Sequence, residues 1–146
     1  MGLIEAIGEG PIGLDTAILI YLIEEHERYL PAVEPVFAAI DAGDLEAVTS
    51  GLTLLEVLVV PYRAGNARLA ERYENLLTRS RGVRMLDIDC DVLRAAAQLR
   101  AAAGVKTPDA IQVAAALVAE CPVFLTNDRA LPAIPGLKVL QLSDFV

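Results

Sequence analysis

Apolar residues along the chain occur in two patterns, short runs typical of buried strands and longer runs with helical spacing. The short runs predict five strands, at residues 11–14, 47–50, 83–88, 122–126 and 138–141. The longer runs predict helices, at residues 16–25, 34–42, 52–62, 66–80, 89–103 and 107–120. The third helix is expected to stop near Pro61, and Thr107 is expected to cap the last helix. Strands alternating with helices indicate βαβ units, a parallel sheet and therefore an α/β fold.

Length and composition favour one folded domain. A chain of 146 residues with 55% hydrophobic and 22% charged residues can bury a core and is not intrinsically disordered. Because no repeat or long linker divides the chain, residues 1–146 are expected to form a single domain. The longest stretch without a charge, residues 110–119, is too short to span a membrane, and the N-terminus lacks the features of a signal peptide. We therefore expect a cytoplasmic protein without a membrane segment.

The two cysteines, Cys90 and Cys121, indicate neither a disulfide framework nor a zinc site. They form no CxxC pair, and the chain has no cluster of histidines and cysteines. Both are expected to be buried free thiols.

The net charge of −8 argues at first against a nucleic-acid binder, but the charge is unevenly distributed. Residues 1–60 carry a net charge of −10, and residues 61–146 carry +2. Six arginines lie between residues 63 and 84, and three of them recur at spacings that place them on one face of the predicted helix at 66–80. These three are Arg68, Arg72 and Arg79. This strip either contacts RNA phosphates or is a solvated face paired with Glu71 and Glu74.

Four acidic residues are predicted to meet at the carboxyl edge of the sheet. In open α/β sheets the strand ends and the starts of the crossover helices lie at that edge, where ligands bind. Each of the four acids follows a predicted strand or lies in the first turn of a predicted helix there. They are Asp15, Glu56, Asp109 and Asp128.

Carboxylates crowded together repel one another, so this arrangement is explained best by hard cations between them. Mg²⁺ or Mn²⁺ is the natural choice for a site of oxygen ligands. Such a site suits attack by water on a phosphodiester, because the metal polarises the phosphoryl oxygens and lowers the pKa of bound water.

Each acid, taken singly, also has a structural explanation. Thr53 and Glu56 have the spacing of a capping box, and Asp15 precedes a predicted helix that it could cap. Asp109 suits the positive end of a helix dipole, and Asp128 could cap the short turn at residues 129–131.

Four motifs containing these acids resemble those of PIN-domain ribonucleases, in the same order over nearly the whole chain. They are Leu-Asp-Thr-Ala-Ile-Leu-Ile at 14–20, Thr-Leu-Leu-Glu-Val at 53–57, Lys-Thr-Pro-Asp-Ala-Ile at 106–111 and Leu-Thr-Asn-Asp-Arg at 125–129. The likeness is greatest to the toxin of VapBC-type toxin–antitoxin pairs. Two features depart from that pattern: Ala17 stands where a small hydroxyl residue is often found, and residues 1–10 form a longer N-terminal extension.

The resemblance implies a PIN-like α/β domain with a roughly five-stranded parallel sheet flanked by helices. It also implies a Mg²⁺- or Mn²⁺-dependent endoribonuclease that forms a homodimer and is inhibited by a small antitoxin protein with a basic tail. The residues carried over as catalytic and metal-binding are Asp15, Glu56, Asp109 and Asp128. The polar residues carried over as their support are Thr16, Thr126 and Asn127.

Two other classes of function stay open. A phospho-receiver domain also has acids at the carboxyl edge of a parallel sheet, and Asp87 or Asp89 with Lys138 would take that role. Such a site needs paired acids after the first strand, where Asp15 stands alone. The third possibility is a PIN-like domain that binds RNA or protein without cutting, although the four acids argue against it.

Overall fold

Five strands form one sheet in the computed structural model, which describes all 146 residues. The strands are β1 (Ile12–Leu14), β2 (Ala47–Ser50), β3 (Val83–Leu86), β4 (Val123–Thr126) and β5 (Lys138–Gln141). Their order across the sheet is β3, β2, β1, β4, β5, and every neighbouring pair is parallel. The predicted α/β fold with a five-stranded parallel sheet is confirmed.

Seven α-helices and a short 3-10 helix, Leu142–Phe145, complete the chain. The α-helices are α1 (Leu3–Ile7), α2 (Thr16–Ile23), α3 (Leu30–Asp41), α4 (Gly51–Arg63), α5 (Ala67–Arg79), α6 (Cys90–Ala103) and α7 (Thr107–Val118). Helix α1 lies within the N-terminal extension and buries Leu3 and Ile7 against the core, so this segment packs with the rest of the fold. None of the helices combines the length and the apolar character needed to cross a membrane.

Pro61 lies in the last turn of α4, and the helix ends near it, one residue beyond the predicted end at residue 62. The helix continues to Arg63 and buries the Pro61 ring. A proline this close to the end of a helix removes one N–H donor while its ring still contributes to packing. The Pro61 carbonyl accepts a hydrogen bond of 2.8 Å from the Asn66 backbone N–H, which closes the turn into α5.

Several predicted boundaries differ from those of the structure by a few residues. Helix α3 begins at Leu30 instead of residue 34, since Pro31 fits the first turn of a helix. Strand β3 ends at Leu86 instead of residue 88, because its partner β2 ends opposite it at Ser50 and turns into α4. Helix α7 already includes Thr107; its cap is Lys106 without a side-chain hydrogen bond, so Thr107 is not the cap.

The sheet is buried on both faces by two separate apolar clusters. Neighbouring residues of β4 point to opposite faces, so Val123 and Leu125 belong to the larger cluster and Phe124 to the smaller one. The larger cluster includes residues of α1, α2, α3 and α5, whereas the smaller one includes residues of α6 and α7. This layering is the reason why β1, β2 and β4 are buried along their whole length and show no alternation of buried and exposed residues.

The two cysteines differ in their surroundings. Cys121 is a buried free thiol, and burial raises its pKa to about 11. Cys90 is free but exposed at the start of α6, so the prediction that both thiols are buried is wrong for Cys90.

Helix α7 packs closely against the central strand β1 at Gly13. A Cβ atom at Gly13 would lie 2.7 Å from Ala116 Cβ and 2.7 Å from Phe124 Cδ1. Both distances are far below van der Waals contact, so the helix can pack here only against a residue without a side chain.

Gly13→Ala is expected to lower the free energy of unfolding by about 1–3 kcal/mol, because the added methyl group overpacks the contact between β1 and α7. Urea denaturation measures the change. The matched control is Gly51→Ala at the start of α4, where a new Cβ would meet nothing closer than 3.6 Å. The control is expected to be neutral or to stabilise by up to about 1 kcal/mol. Equal unfolding midpoints for the two variants would contradict the packing argument.

Candidate active site

The four predicted acids lie near the carboxyl edge of the sheet. Asp15 directly follows β1, Asp128 follows β4 by two residues, and Asp109 lies in the first turn of α7. Glu56 lies on α4 but beyond the first turn, in which the sequence pattern predicted it, because the helix already begins at Gly51. Asp15, Asp109 and Asp128 line one narrow cleft, together with Gln112 and Thr126.

Asp15 is held by two hydrogen bonds. Its Oδ1 accepts from the Thr16 backbone N–H at 2.9 Å, and its Oδ2 accepts from the Thr126 hydroxyl at 2.7 Å. The expectation that Asp15 caps α2 is confirmed. Burial raises the pKa of Asp15, the two hydrogen bonds counteract that rise, and the charges of Glu56 and Asp128 add to it.

Asp109 lines the same cleft, and its charge is less well compensated. Burial raises the pKa of Asp109 first, followed by the nearby charges of Asp128, Asp15 and Glu56. Only Lys106 lowers that pKa, and no hydrogen bond contributes. Asp109 is thus repelled by each of the other three carboxylates, and Asp15 is repelled by Glu56 and Asp128.

Asp128 is fixed by the turn that follows β4. Its Oδ1 accepts a hydrogen bond of 2.9 Å from the Ala130 backbone N–H, which confirms the expected cap of this turn. Its own backbone N–H donates to Thr126 Oγ1 at 3.1 Å. Thr126 thus links Asp15 and Asp128, because one hydroxyl donates to the first residue and accepts from the second.

Glu56 is connected to the other acids through Thr16. The Thr16 hydroxyl donates to Glu56 Oε1 at 2.6 Å, while the Thr16 backbone N–H bonds to Asp15. The capping box proposed for Thr53 and Glu56 is wrong. The residue that caps α4 is Ser50, whose Oγ accepts from the Leu52 N–H at 3.2 Å, and the Thr53 side chain is buried.

Gln112 belongs to the site although the sequence pattern did not single it out. It is the single polar side chain in the uncharged stretch 110–119, and it is 3% exposed. Its carboxamide lies beneath the acids and forms hydrogen bonds of 2.7–2.8 Å with three hydroxyl groups, those of Thr16, Ser50 and Thr53. A lone glutamine in an apolar helical stretch was the available signal, because a buried amide requires partners.

Asn127 is turned away from the cleft. Its Nδ2 donates to the Tyr21 hydroxyl at 3.3 Å, and its Oδ1 accepts from the Ser143 backbone N–H at 3.1 Å. Asn127 therefore connects α2 to the 3-10 helix at the C-terminus and does not line the cleft.

The predicted arginine face on α5 is exposed. Ala70, Tyr73 and Leu77 are buried on the other side of this amphipathic helix. The expected pairing of the arginines with Glu71 and Glu74 is absent, since the two ion pairs of the protein are Arg94–Asp91 and Arg129–Asp144. The members of the exposed face are Arg68, Arg72 and Arg79.

The geometry excludes the phospho-receiver alternative. Asp87 follows β3 at the carboxyl edge, whereas Lys138 is the first residue of β5, at the amino edge. Strands β3 and β5 are also the two outer strands of the sheet. Asp89 caps α6, and the Lys138 ammonium donates to the Ala6 carbonyl at 3.1 Å, so the three groups are separated and otherwise engaged.

The chemistry of the cleft fits a hard divalent cation, although its acidic side chains do not lie close enough together to hold an ion as they stand. Aspartate, glutamate and threonine oxygens are the ligands that Mg²⁺ prefers. Each Asp15 oxygen accepts one hydrogen bond and keeps a lone pair free. No three acidic, histidine or cysteine side chains surround one point closely enough to hold an ion. Metal binding would therefore require the carboxylates to rotate towards one another.

A family model for the PIN domain matches residues 12–137. This range includes all four acids and the whole sheet except the outer strand β5. No curated protein sequence matches the chain.

Solved structures of bacterial toxin–antitoxin proteins share the fold. The VapBC2 complex of Rickettsia felis, bound to a promoter DNA fragment, has a TM-score of 0.69 at 15% identity, covering 89% of this chain and 97% of the other. A toxin–antitoxin complex of Klebsiella pneumoniae has a TM-score of 0.64 at 22% identity, covering 86% and 93%. The VapC20 toxin of Mycobacterium tuberculosis, described as cleaving the sarcin–ricin loop, has a TM-score of 0.63 at 17% identity, covering 77% and 86%.

Asp109→Asn is expected to stabilise the metal-free protein at pH 7.5. Because the pKa of folded Asp109 lies above its ordinary value of 3.8, its charge costs stability as the pH rises beyond that value. Solvent screening limits the gain to about 1 kcal/mol or less. Thermal unfolding in EDTA at pH 7.5 and pH 3 measures it, and the gain should vanish at pH 3, where the wild-type carboxyl is also neutral.

Asp44→Asn on an exposed turn serves as the control and should change neither midpoint. A gain from Asp109→Asn that is as large at pH 3 as at pH 7.5 would show that charge repulsion is not its cause.

Proposed function

The chain belongs to the PIN domain family, and we propose that it is a divalent-metal-dependent endoribonuclease that hydrolyses RNA phosphodiester bonds. The observation that carries this proposal is the convergence of Asp15, Asp109 and Asp128 on one cleft, with Glu56 joined to Asp15 through Thr16. A site of repelling carboxylates, among which Lys106 is the one cation that lowers the pKa of Asp109, is suited to a divalent cation.

The residues proposed to hold Mg²⁺ or Mn²⁺ are Asp15, Glu56, Asp109 and Asp128. When bound, the metal would polarise the phosphate and lower the pKa of a water molecule. The chain's own contribution is to orient these carboxylates. Thr126 and the Thr16 backbone fix both oxygens of Asp15, and the Thr16 hydroxyl fixes one oxygen of Glu56. The role proposed for Thr16 and Thr126 is thus to set ligand direction, whereas Asn127 would act only by supporting the turn around Asp128.

We propose further that the chain is the toxin of a toxin–antitoxin pair and acts in the cytoplasm. Its fold is shared with toxin–antitoxin complexes from Rickettsia felis and Klebsiella pneumoniae, which supports a small antitoxin as its partner. The net charge of −10 over residues 1–60 suits a basic antitoxin segment, since opposite charges accelerate and orient association. Homodimer formation is proposed from the family resemblance.

Asp15→Asn is expected to reduce RNA cleavage by more than about a hundredfold, because the substitution of residues that merely support metal ligands already costs 10–100-fold. The fold should persist, since an asparagine oxygen can still accept one of the two hydrogen bonds. The measurement is the initial rate of cleavage of a single-stranded RNA in Mg²⁺ or Mn²⁺, with EDTA as the blank. Asp44→Asn, a charge-matched control on an exposed turn, should retain the wild-type rate.

Two results would contradict this assignment. Equal rates for Asp15→Asn and wild type would remove Asp15 from the site. A wild-type protein that binds RNA but never cleaves it, with any divalent ion, would instead favour a PIN-like module that binds RNA without cutting it.

Binding of phosphates away from the cut is assigned to the exposed arginines of α5. Arg68→Ala/Arg72→Ala is expected to weaken RNA binding for all sequences alike and to flatten the slope of log affinity against log salt, by roughly one unit for each phosphate that an arginine no longer neutralises. Binding titrations at several salt concentrations measure the slope, and Arg94→Ala, on α6 and paired with Asp91, is the control. An unchanged slope in the double variant would assign this face to solvent or to a protein interface.

A further inference from the structure

Gln112 lies at the centre of a buried hydrogen-bond network below the acids. The network joins the start of α2, the end of β2, helix α4 and helix α7. The Gln112 carboxamide accepts from Ser50 Oγ at 2.8 Å and donates from Nε2 to Thr16 Oγ1 at 2.8 Å and to Thr53 Oγ1 at 2.7 Å. Both amide hydrogens and the amide oxygen are therefore used.

The directions of these hydrogen bonds follow from a count of donors. Thr49 donates its hydroxyl hydrogen to the Leu14 carbonyl, which is an acceptor only. In the 2.8 Å contact between Thr49 and Thr53, Thr53 must therefore be the donor. Since the Thr53 hydrogen is directed to Thr49, the Thr53 oxygen is free to accept from the amide of Gln112.

The same count fixes the direction at Thr16. Its oxygen accepts from Gln112, and its hydrogen has two possible acceptors, Glu56 at 2.6 Å and Thr53 at 3.0 Å. If the Thr16 hydrogen pointed to Thr53 instead, the Glu56 carboxylate oxygen would face the Thr16 hydroxyl oxygen with no hydrogen between them. Charged acceptors also form the stronger hydrogen bonds, so the Thr16 hydroxyl donates to Glu56. The network thus ends in a hydroxyl that donates to Glu56.

If the oxygen and the nitrogen of the Gln112 amide exchanged places, donors and acceptors in the network would no longer match. Its oxygen would then face Thr16 and Thr53 and require their hydrogens, which would take the donor away from Glu56. The Ser50 hydroxyl would face an amide nitrogen and lose its acceptor. In the observed orientation every side chain of the network has a hydrogen-bond partner. The one buried side-chain atom of the protein without a partner, Gln141 Oε1, lies outside the network.

We propose that Gln112 is a positioning residue of the acidic site, which acts through Thr16 to hold the Glu56 carboxylate in its place beside Asp15. This inference rests on the proposed nuclease function. Gln112 need not touch RNA, because its amide is consumed within the protein. Its effect is to hold α2, α4 and α7 at one spacing and to direct the Thr16 hydroxyl outwards, which α7 could not do with an apolar residue at this position.

The test compares Gln112→Met, Thr16→Val and the double variant with the wild type. Methionine fills nearly the same space without donating, and valine replaces the Thr16 hydroxyl by a methyl group. Tyr73→Phe is the control for stability alone, since it removes a buried hydroxyl that bonds to Glu24 on the α2 side of the fold. Two quantities are measured: kcat and KM for RNA cleavage, and the affinity for Mn²⁺ by calorimetry of EDTA-stripped protein.

Gln112→Met is expected to lower kcat and Mn²⁺ affinity by about 10-fold or more, as removing the support of metal ligands does, with KM for RNA nearly unchanged. Because Gln112 acts through Thr16, the double variant should resemble Thr16→Val alone. Tyr73→Phe should alter neither quantity, even where it lowers the unfolding midpoint. If Gln112→Met does not fold, Gln112→Asn replaces it, because the shorter amide cannot reach both hydroxyls and the same reductions are expected.

Wild-type kcat and Mn²⁺ affinity in a folded Gln112 variant would overturn the proposal, as would reductions that multiply in the double variant. Failure of the proposed function looks different, because the wild type itself would then not cleave RNA. In that case the Mn²⁺ affinities of the variants still decide whether Gln112 positions the carboxylates.

Discussion

Repulsion between carboxylates is the constraint around which the carboxyl edge of this protein is organised. Asp15 and Asp109 both have a raised pKa, and for each residue burial is the largest cause and neighbouring acids add to it. A stable fold can tolerate such crowding only where the surrounding structure holds the charges in position. Hydroxyl groups do this here: Thr126 bonds to Asp15 and to the backbone of Asp128, and Thr16 bonds to Glu56.

The apolar layers make this arrangement possible. Apolar layers cover both faces of the sheet, so β1 and β4 are fully buried, and Asp15 is the first partly exposed residue after β1. Gly13 allows α7 to lie directly on β1. The same close packing brings Gln112 of α7 under Thr16, so core packing and the polar network position the site together.

Charge is distributed so that different surfaces suit different partners. The acidic first part of the chain supplies Asp15 and Glu56, whereas the exposed face of α5 presents arginines without ion-pair partners. The proposed nuclease function would require such a separation, because metal binding requires concentrated negative charge and RNA phosphates require cations elsewhere. The basic antitoxin segment and the RNA, both proposed as partners above, would then be attracted to different parts of the molecule.

The sequence by itself determined the parallel α/β sheet, the amphipathic character of α5 and the four acids at the carboxyl edge, because these depend on local periodicity and on the order of elements along the chain. It placed Asp15 correctly as a cap but misread Thr53, whose hydroxyl has buried partners from other elements instead of a local one. Only the tertiary structure decided that Lys138 is remote from Asp87 and that Gln112 joins the acidic site. Each of these depends on contacts between residues far apart in the sequence, which a local pattern does not contain.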